Sequence, residues 1–193
     1  MRQASILLLL LLEAFALPGH LMAQWQSNGT YLERGACEGE GCRIAFLAVV
    51  KRPALVYSRR DGGTVVWRLR TRDSIEVERV DIVHHSLTRV VARRPVVIEP
   101  ESGNPIDTLM PGDTLKVLSY AGEGWHRALG EDFIRRVPEF WKDPHLLGEY
   151  PDTFPARIVT QGKYVVWYLV KYAPGKRGWV KGHDWIADEL EVD

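Results

Sequence analysis

The chain has 193 residues, with 25 Lys and Arg balanced by 25 Asp and Glu. That length suits one ordinary domain or two small ones. A formal net charge of zero argues against general electrostatic capture of nucleic acid.

The N-terminus has the layout of a secretory signal peptide. Arg2 is followed by an apolar run, Ile6 to Leu12, then Glu13 and Ala14-Phe15-Ala16-Leu17. Pro18-Gly19 breaks the helix, and Leu21-Met22-Ala23 places a small residue before Gln24. The run is shorter than the ~20 apolar residues a spanning helix needs. Residues 1–23 are therefore expected to be removed, with cleavage after Ala23 preferred to cleavage after Ala16. This predicts a periplasmic or secreted protein with no transmembrane segment once the signal is gone. The run is not followed by a cysteine that could take a lipid.

Residues 24–43 form an N-terminal segment holding Asn28-Gly29-Thr30, a glycosylation acceptor pattern, and both cysteines, in "GACEGEGC". Export permits a Cys37–Cys42 disulfide, a local staple contributing about 2 kcal/mol on the chain-entropy model. Free structural thiols and a reactive thiol are the alternatives. Metal binding needs about four ligands, and a catalytic thiol needs an activating base; neither set is completed nearby.

Beyond this, short strand signals recur: 44–50, 54–58, 64–70, 74–83, 87–92, 95–99, 113–120 and 164–172. Turn residues separate many of them, among them Asp61-Gly62-Gly63, Pro111-Gly112-Asp113 and Pro174-Gly175. In "SIEVERV", Ile75, Val77 and Val80 alternate with charged residues, the pattern of a half-buried strand. In the next strand toward the N-terminus, Trp67 and Leu69 alternate with Arg68, Arg70 and Arg72. This arginine stripe reads as a solvated face neutralised by Asp61, Asp73, Glu76 and Glu78. The other reading is a site for an anionic polymer.

A weak internal repeat relates 49–63 to 90–104 at an offset of forty-one residues. With one residue dropped, 69–77 falls on 109–117, pairing Asp73 with Asp113. Two consecutive β units are expected, 44–92 and 93–193. Segment 131–137 is either a short helical turn or the return arm of a hairpin. A Pro- and aromatic-rich insertion, 128–163, interrupts the second unit; its core carries Trp141, Tyr150 and Phe154.

Near the end, "VVWYLVKYAPGKRGWVKGHDWI" reads as a strand, a Pro-Gly turn and a return strand anchored by Trp179. Trp167-x-x-Val170, that turn and Gly178-Trp179-Val180 resemble the closing hairpin of bacterial Src-homology-3-like domains. Upstream, "RPVVIEPESGNPIDTLMPGDTLKVLSY" resembles the start of such a domain. The likeness covers about 90–190, is weaker over 44–90, and departs at 128–163. It implies an all-β protein of two consecutive small Src-homology-3-like barrels, exported, binding peptides or wall components and seldom catalytic. Trp179 is expected in the core, and Trp185 as either a core lid or an exposed contact.

No Gly-x-Ser-x-Gly, His-Glu-x-x-His or phosphate loop occurs. His84 and His85 are adjacent, so on a strand they face opposite sides and cannot chelate one ion. The reading is a non-catalytic envelope module without metal or cofactor, holding a peptide or wall glycan. Its alternative is a structural subunit contacting another protein. Trp141, Tyr150, Phe154, His183 and Trp185 are the candidate contact residues. The insertion could equally fold back as a lid over its own barrel.

Overall fold

The computed structural model describes residues 22–36, 43, 45–60, 62–98, 107–122, 124–129, 134–138, 155–182 and 185–186. Among them there is no helix, and every strand pairing is antiparallel. The all-β expectation is met. The Cys37–Cys42 pair and the core of the insertion, including Trp141, Tyr150 and Phe154, lie outside the described residues, as does His183.

The first six strands in chain order are β1 (Met22–Trp25), β2 (Tyr31–Arg34), β3 (Phe46–Val49), β4 (Ala54–Tyr57), β5 (Val65–Leu69) and β6 (Ser74–Ser86). The chain continues through β7 (Thr88–Ala92), β8 (Val96–Ile98), β9 (Asp107–Leu109), β10 (Thr114–Gly122), β11 (Trp125–Leu129), β12 (Ile134–Pro138) and β13 (Ala156–Thr160). It ends in the hairpin β14 (Lys163–Ala173) and β15 (Lys176–Lys181). Strand β1 begins at Met22, so it takes in two residues ahead of the expected cleavage point. Residues 134–138 are the return arm of a hairpin with β11, which decides between the two readings of 131–137.

The strands do not segregate into two successive blocks. An eight-stranded sheet runs β1-β2-β6-β14-β15-β4-β5, with β3 also on β6. A five-stranded sheet runs β12-β11-β10-β7-β13, and β8 and β9 form a separate hairpin. The terminal hairpin β14–β15, expected to close the second unit, thus belongs with β3 to β6. The reason lies in the length and pattern of β6. Its Val80 and Ile82 stand beside Tyr168 and Val166 of β14, and all four enter one core with Val77, Val170 and Val180. Strands β7 to β13 form a second unit held inside the first. Lys163 of β14 pairs with Ser86 of β6, and Ala156 of β13 with Ala92 of β7, so a two-stranded ribbon passes from one sheet to the other.

The repeat has a structural counterpart. Arg70 N donates to Asp73 Oδ2 at 2.6 Å, and Met110 N donates to Asp113 Oδ2 at 2.7 Å. Val50 N donates to Asp73 O, and Ala92 N donates to Asp113 O. Each unit then brings a late segment back onto its first strand. Lys51 N and Arg52 N donate to Trp185 O; Arg93 N and Arg94 N donate to Pro155 O. Both turns require a left-handed residue, supplied by Gly112 (φ 98°) in one and by Arg72 (φ 74°) in the other.

The outer unit's core contains Val56, Leu69, Ile82, Val170 and Trp185; the inner unit's contains Val90, Ile98, Leu115 and Ala128. A third small cluster joins the sheets, with Tyr31, Leu87 and Leu118 buried together and Leu129 against them. Neither sheet closes into a barrel among the described residues.

Candidate functional site

The terminal hairpin presents two different faces. Gly178 and Val180 point into the core, and Trp179 between them points out. The expectation of a core Trp179 is therefore corrected: the residue is half-buried on the outer face. Strand alternation forces this, because Val180 already occupies the inward position. Gly178 is required on the core side. A Cβ there would run into Val56 Cγ1 and stand 2.9 Å from Tyr57 O.

Trp185 does what was expected of Trp179. Gly182, at φ 80°, turns the chain after β15, and the indole Nε1 donates to Gly182 O at 2.7 Å. The ring packs edge-on against Tyr168 at 5.3 Å and is 3% exposed. As a candidate contact residue it is thus corrected to a core lid.

Around the Trp179 ring the structure gathers charges from the β4–β5 turn and from β6. Arg60 comes from the β4–β5 turn and Arg79 from β6; their guanidinium carbons lie 5.0 and 5.2 Å from the ring centroid. Both are within cation–π range. Asp81, fully buried, organises them. Its Oδ2 accepts from Arg60 Nη1 at 2.6 Å, and its Oδ1 accepts from Gly35 N at 3.0 Å. Arg79 Nε lies 3.0 Å from Oδ1, yet its N–H is not aimed to hydrogen-bond there, so this contact is ionic only. Arg34 stands beside Asp81 across β2 and β6 and adds to the field on Arg60. The Arg60 pKa is lowered, chiefly by burial, then by Arg34 and Arg79, with Asp81 opposing.

Two guanidiniums thus meet one carboxylate that is already engaged, with a third arginine on the neighbouring strand. The side chains of Arg60 and Arg79 are 23% and 32% exposed, and Arg34 is exposed. Among the described residues no second carboxylate pairs with any of the three. The cluster can therefore accept a further anion, with the indole as an apolar floor.

A second polar group lies buried between the sheets. Glu33 Oε2 meets His84 Nε2 at 2.6 Å, and Glu33 Oε1 accepts from Ser119 Oγ at 3.0 Å. Arg127 Nη1 donates to Ser119 Oγ at 3.2 Å. Tyr31 and Tyr164 ring the histidine, with centroids 6.4 and 5.6 Å away. Burial, and then Glu33, push the Tyr31 hydroxyl up to about 12. The serine hydroxyl and the imidazole sit on different oxygens of one carboxylate. That geometry ties β2 and β6 to β10 and β11; it does not put the base on the hydroxyl. His85, by contrast, is exposed, as opposite faces of a strand demand.

Asp81, Glu33, Arg60 and Arg79 were not singled out by motif or spacing. A signal was present for Asp81, a lone acid between Val80 and Ile82 in an otherwise apolar stretch. Among the described residues no three His, Cys, Asp or Glu side chains are grouped to hold a metal ion. No helix among them is long and apolar enough to cross a membrane. Comparison with protein-family models, curated proteins and solved structures found no match.

Proposed function

We propose that this is an exported, non-catalytic binding module of the bacterial envelope, whose Trp179 face holds an acidic peptide or the peptide portion of the cell wall. The observation that carries the proposal is the arginine excess over Asp81 on a half-exposed indole. Stem peptides and acidic protein segments both offer carboxylates on a short apolar backbone. A guanidinium fork and an aromatic floor recognise that combination. The signal-peptide layout supports export.

The same proposal takes the two units as Src-homology-3-like, one nested in the other. What supports it is the shared plan: first strand, hairpin, Asp turn, long strand, second hairpin, and a late segment returning to the first strand. The masking of Glu33 and Ser119 by each other's hydrogen bonds supports a structural role for the buried polar group.

The test is sedimentation of the mature protein with purified peptidoglycan, alongside the Arg60→Gln/Arg79→Gln double variant. Wild-type protein in the pellet and the variant in the supernatant is the expected result. Wild-type protein left in the supernatant, while a defined envelope protein co-purifies with it, would establish the interaction-subunit alternative instead.

A further inference from the structure

The outer sheet ends at β5, and that edge is open: β5 pairs with β4 on one side and with no strand among the described residues on the other. Natural proteins shield such edges with charge, proline or a bulge, because open main-chain groups template pairing with another chain. Strand β5 carries a bulge at Val66, where the register passes from Val56–Trp67 to Tyr57–Val65, and its edge is nonetheless apolar at its start. Val65, Val66 and Trp67 are 52%, 41% and 47% exposed, and Trp67 is held flat on Tyr172 at 5.5 Å with 16° between the rings.

Arg68 follows on the strand itself, and Arg70 and Arg72 stand in the turn that leaves it. Arg68, Arg70 and Arg72 are all exposed. The acids expected to neutralise them are used elsewhere. Glu76 pairs with Lys171 at 2.8 Å and Glu78 with Arg177 at 2.7 Å. Asp73 Oδ2 accepts the main-chain N–H of Arg70 in the turn. Asp61 lies outside the described residues. None of the three arginines has an ion-pair partner among the described residues.

We infer that the free edge of β5 is a docking strand for an extended peptide in which acidic and apolar residues alternate. Main-chain hydrogen bonds supply the attachment, as in other strand-addition complexes, and alternate side chains supply the selection. The apolar residues of the peptide extend the Val65–Trp67 surface, and its carboxylates answer the arginines. Dimerisation of this chain through β5 is the competing outcome of the test. This surface is separate from the Trp179 face and does not depend on it.

The probe is a capped ten-residue peptide alternating glutamate and valine, fluorescently labelled, with its binding followed by anisotropy. The glutamate peptide is expected to bind about tenfold or more tighter than its lysine counterpart, and to weaken with salt. The Arg68→Glu/Arg70→Glu variant should reverse that order. A fully N-methylated glutamate peptide, unable to donate main-chain hydrogen bonds, should not bind. The Arg60→Gln/Arg79→Gln variant should bind the glutamate peptide as the wild type does. The inference is overturned if the glutamate peptide does not bind, if the N-methylated one does, if the preference survives the charge reversal, or if the protein instead dimerises through β5. Loss of binding in Arg60→Gln/Arg79→Gln would place the peptide on the Trp179 face, overturning this inference while leaving the proposed function standing.

Discussion

Glu33 and His84 meet at 2.6 Å with neither side chain accessible, although fifty-one residues separate them. The carboxylate also takes Ser119 from the inner unit, so one residue satisfies polar groups from both sheets. Replacing Glu33 by alanine leaves His84 and Ser119 without that acceptor. The expected cost is about 3 kcal/mol, read as a lowered urea midpoint. Ser119→Ala removes only the weaker arm and should cost about 1 kcal/mol.

Trp185 and Trp179 should separate in a mutational comparison. Trp185→Ala opens the core of the outer unit and should cost about 3–5 kcal/mol. Trp179→Ala removes a half-buried ring and its two cation–π contacts and should cost about 2 kcal/mol. Sedimentation with peptidoglycan should fail for Trp179→Ala under conditions where it remains folded. Equal melting shifts for the two variants would contradict their different placements.

Two backbone positions give opposite signs. Gly178→Ala forces a methyl against Val56 Cγ1 and should destabilise by about 1–3 kcal/mol. Arg72 is the non-glycine residue with positive φ among the described residues, in the turn where the inner unit uses Gly112. Arg72→Gly should therefore stabilise by about 0.5–1 kcal/mol, measured by thermal or urea unfolding.

His126 makes stability pH-dependent. Burial holds its pKa down at about 4, below the 6.5 of an unfolded chain. The unfolded state therefore binds the extra proton between those values. Stability due to this group is complete above pH 6.5, falls as pH drops through the interval, and levels off below about 4. The loss is on the order of 3 kcal/mol at most. Urea unfolding at pH 7 and pH 4.5 should show a smaller difference in His126→Gln than in the wild type.

Much of the local structure was legible in the residues. Ile75, Val77 and Val80 alternate as β6 does, Asp73 and Asp113 mark equivalent turns, and Pro174-Gly175 marks the hairpin. What chain order concealed is the partner of that hairpin. Nearness along the chain placed it in the second unit, 93–193, whereas β14 had its complementary apolar face in β6, about ninety residues earlier. The candidate site was hidden for the same reason. Asp81 draws Gly35 from forty-six residues away and Arg60 from twenty-one, and no local spacing encodes that meeting. The Trp179–Trp185 exchange came from reading ring size alone, when the inward position in β15 belonged to Val180.

The ribbon joining the sheets sets an order of assembly for a chain that emerges N-terminus first. Strands β7 to β13 are made together, and their five-stranded sheet can form as soon as β13 emerges. Strand β6 is made before all of them, yet the flank that receives β14 stays bare until they are finished. During that interval Val80 and Ile82 lack their neighbours on β14, and a long apolar edge is open to any other nascent strand. The inner unit thus works as a timer. Replacing residues 87–162 by a two-residue turn between Ser86 and Lys163, which already face each other in the ladder, would shorten that exposure and make the outer unit the faster folder.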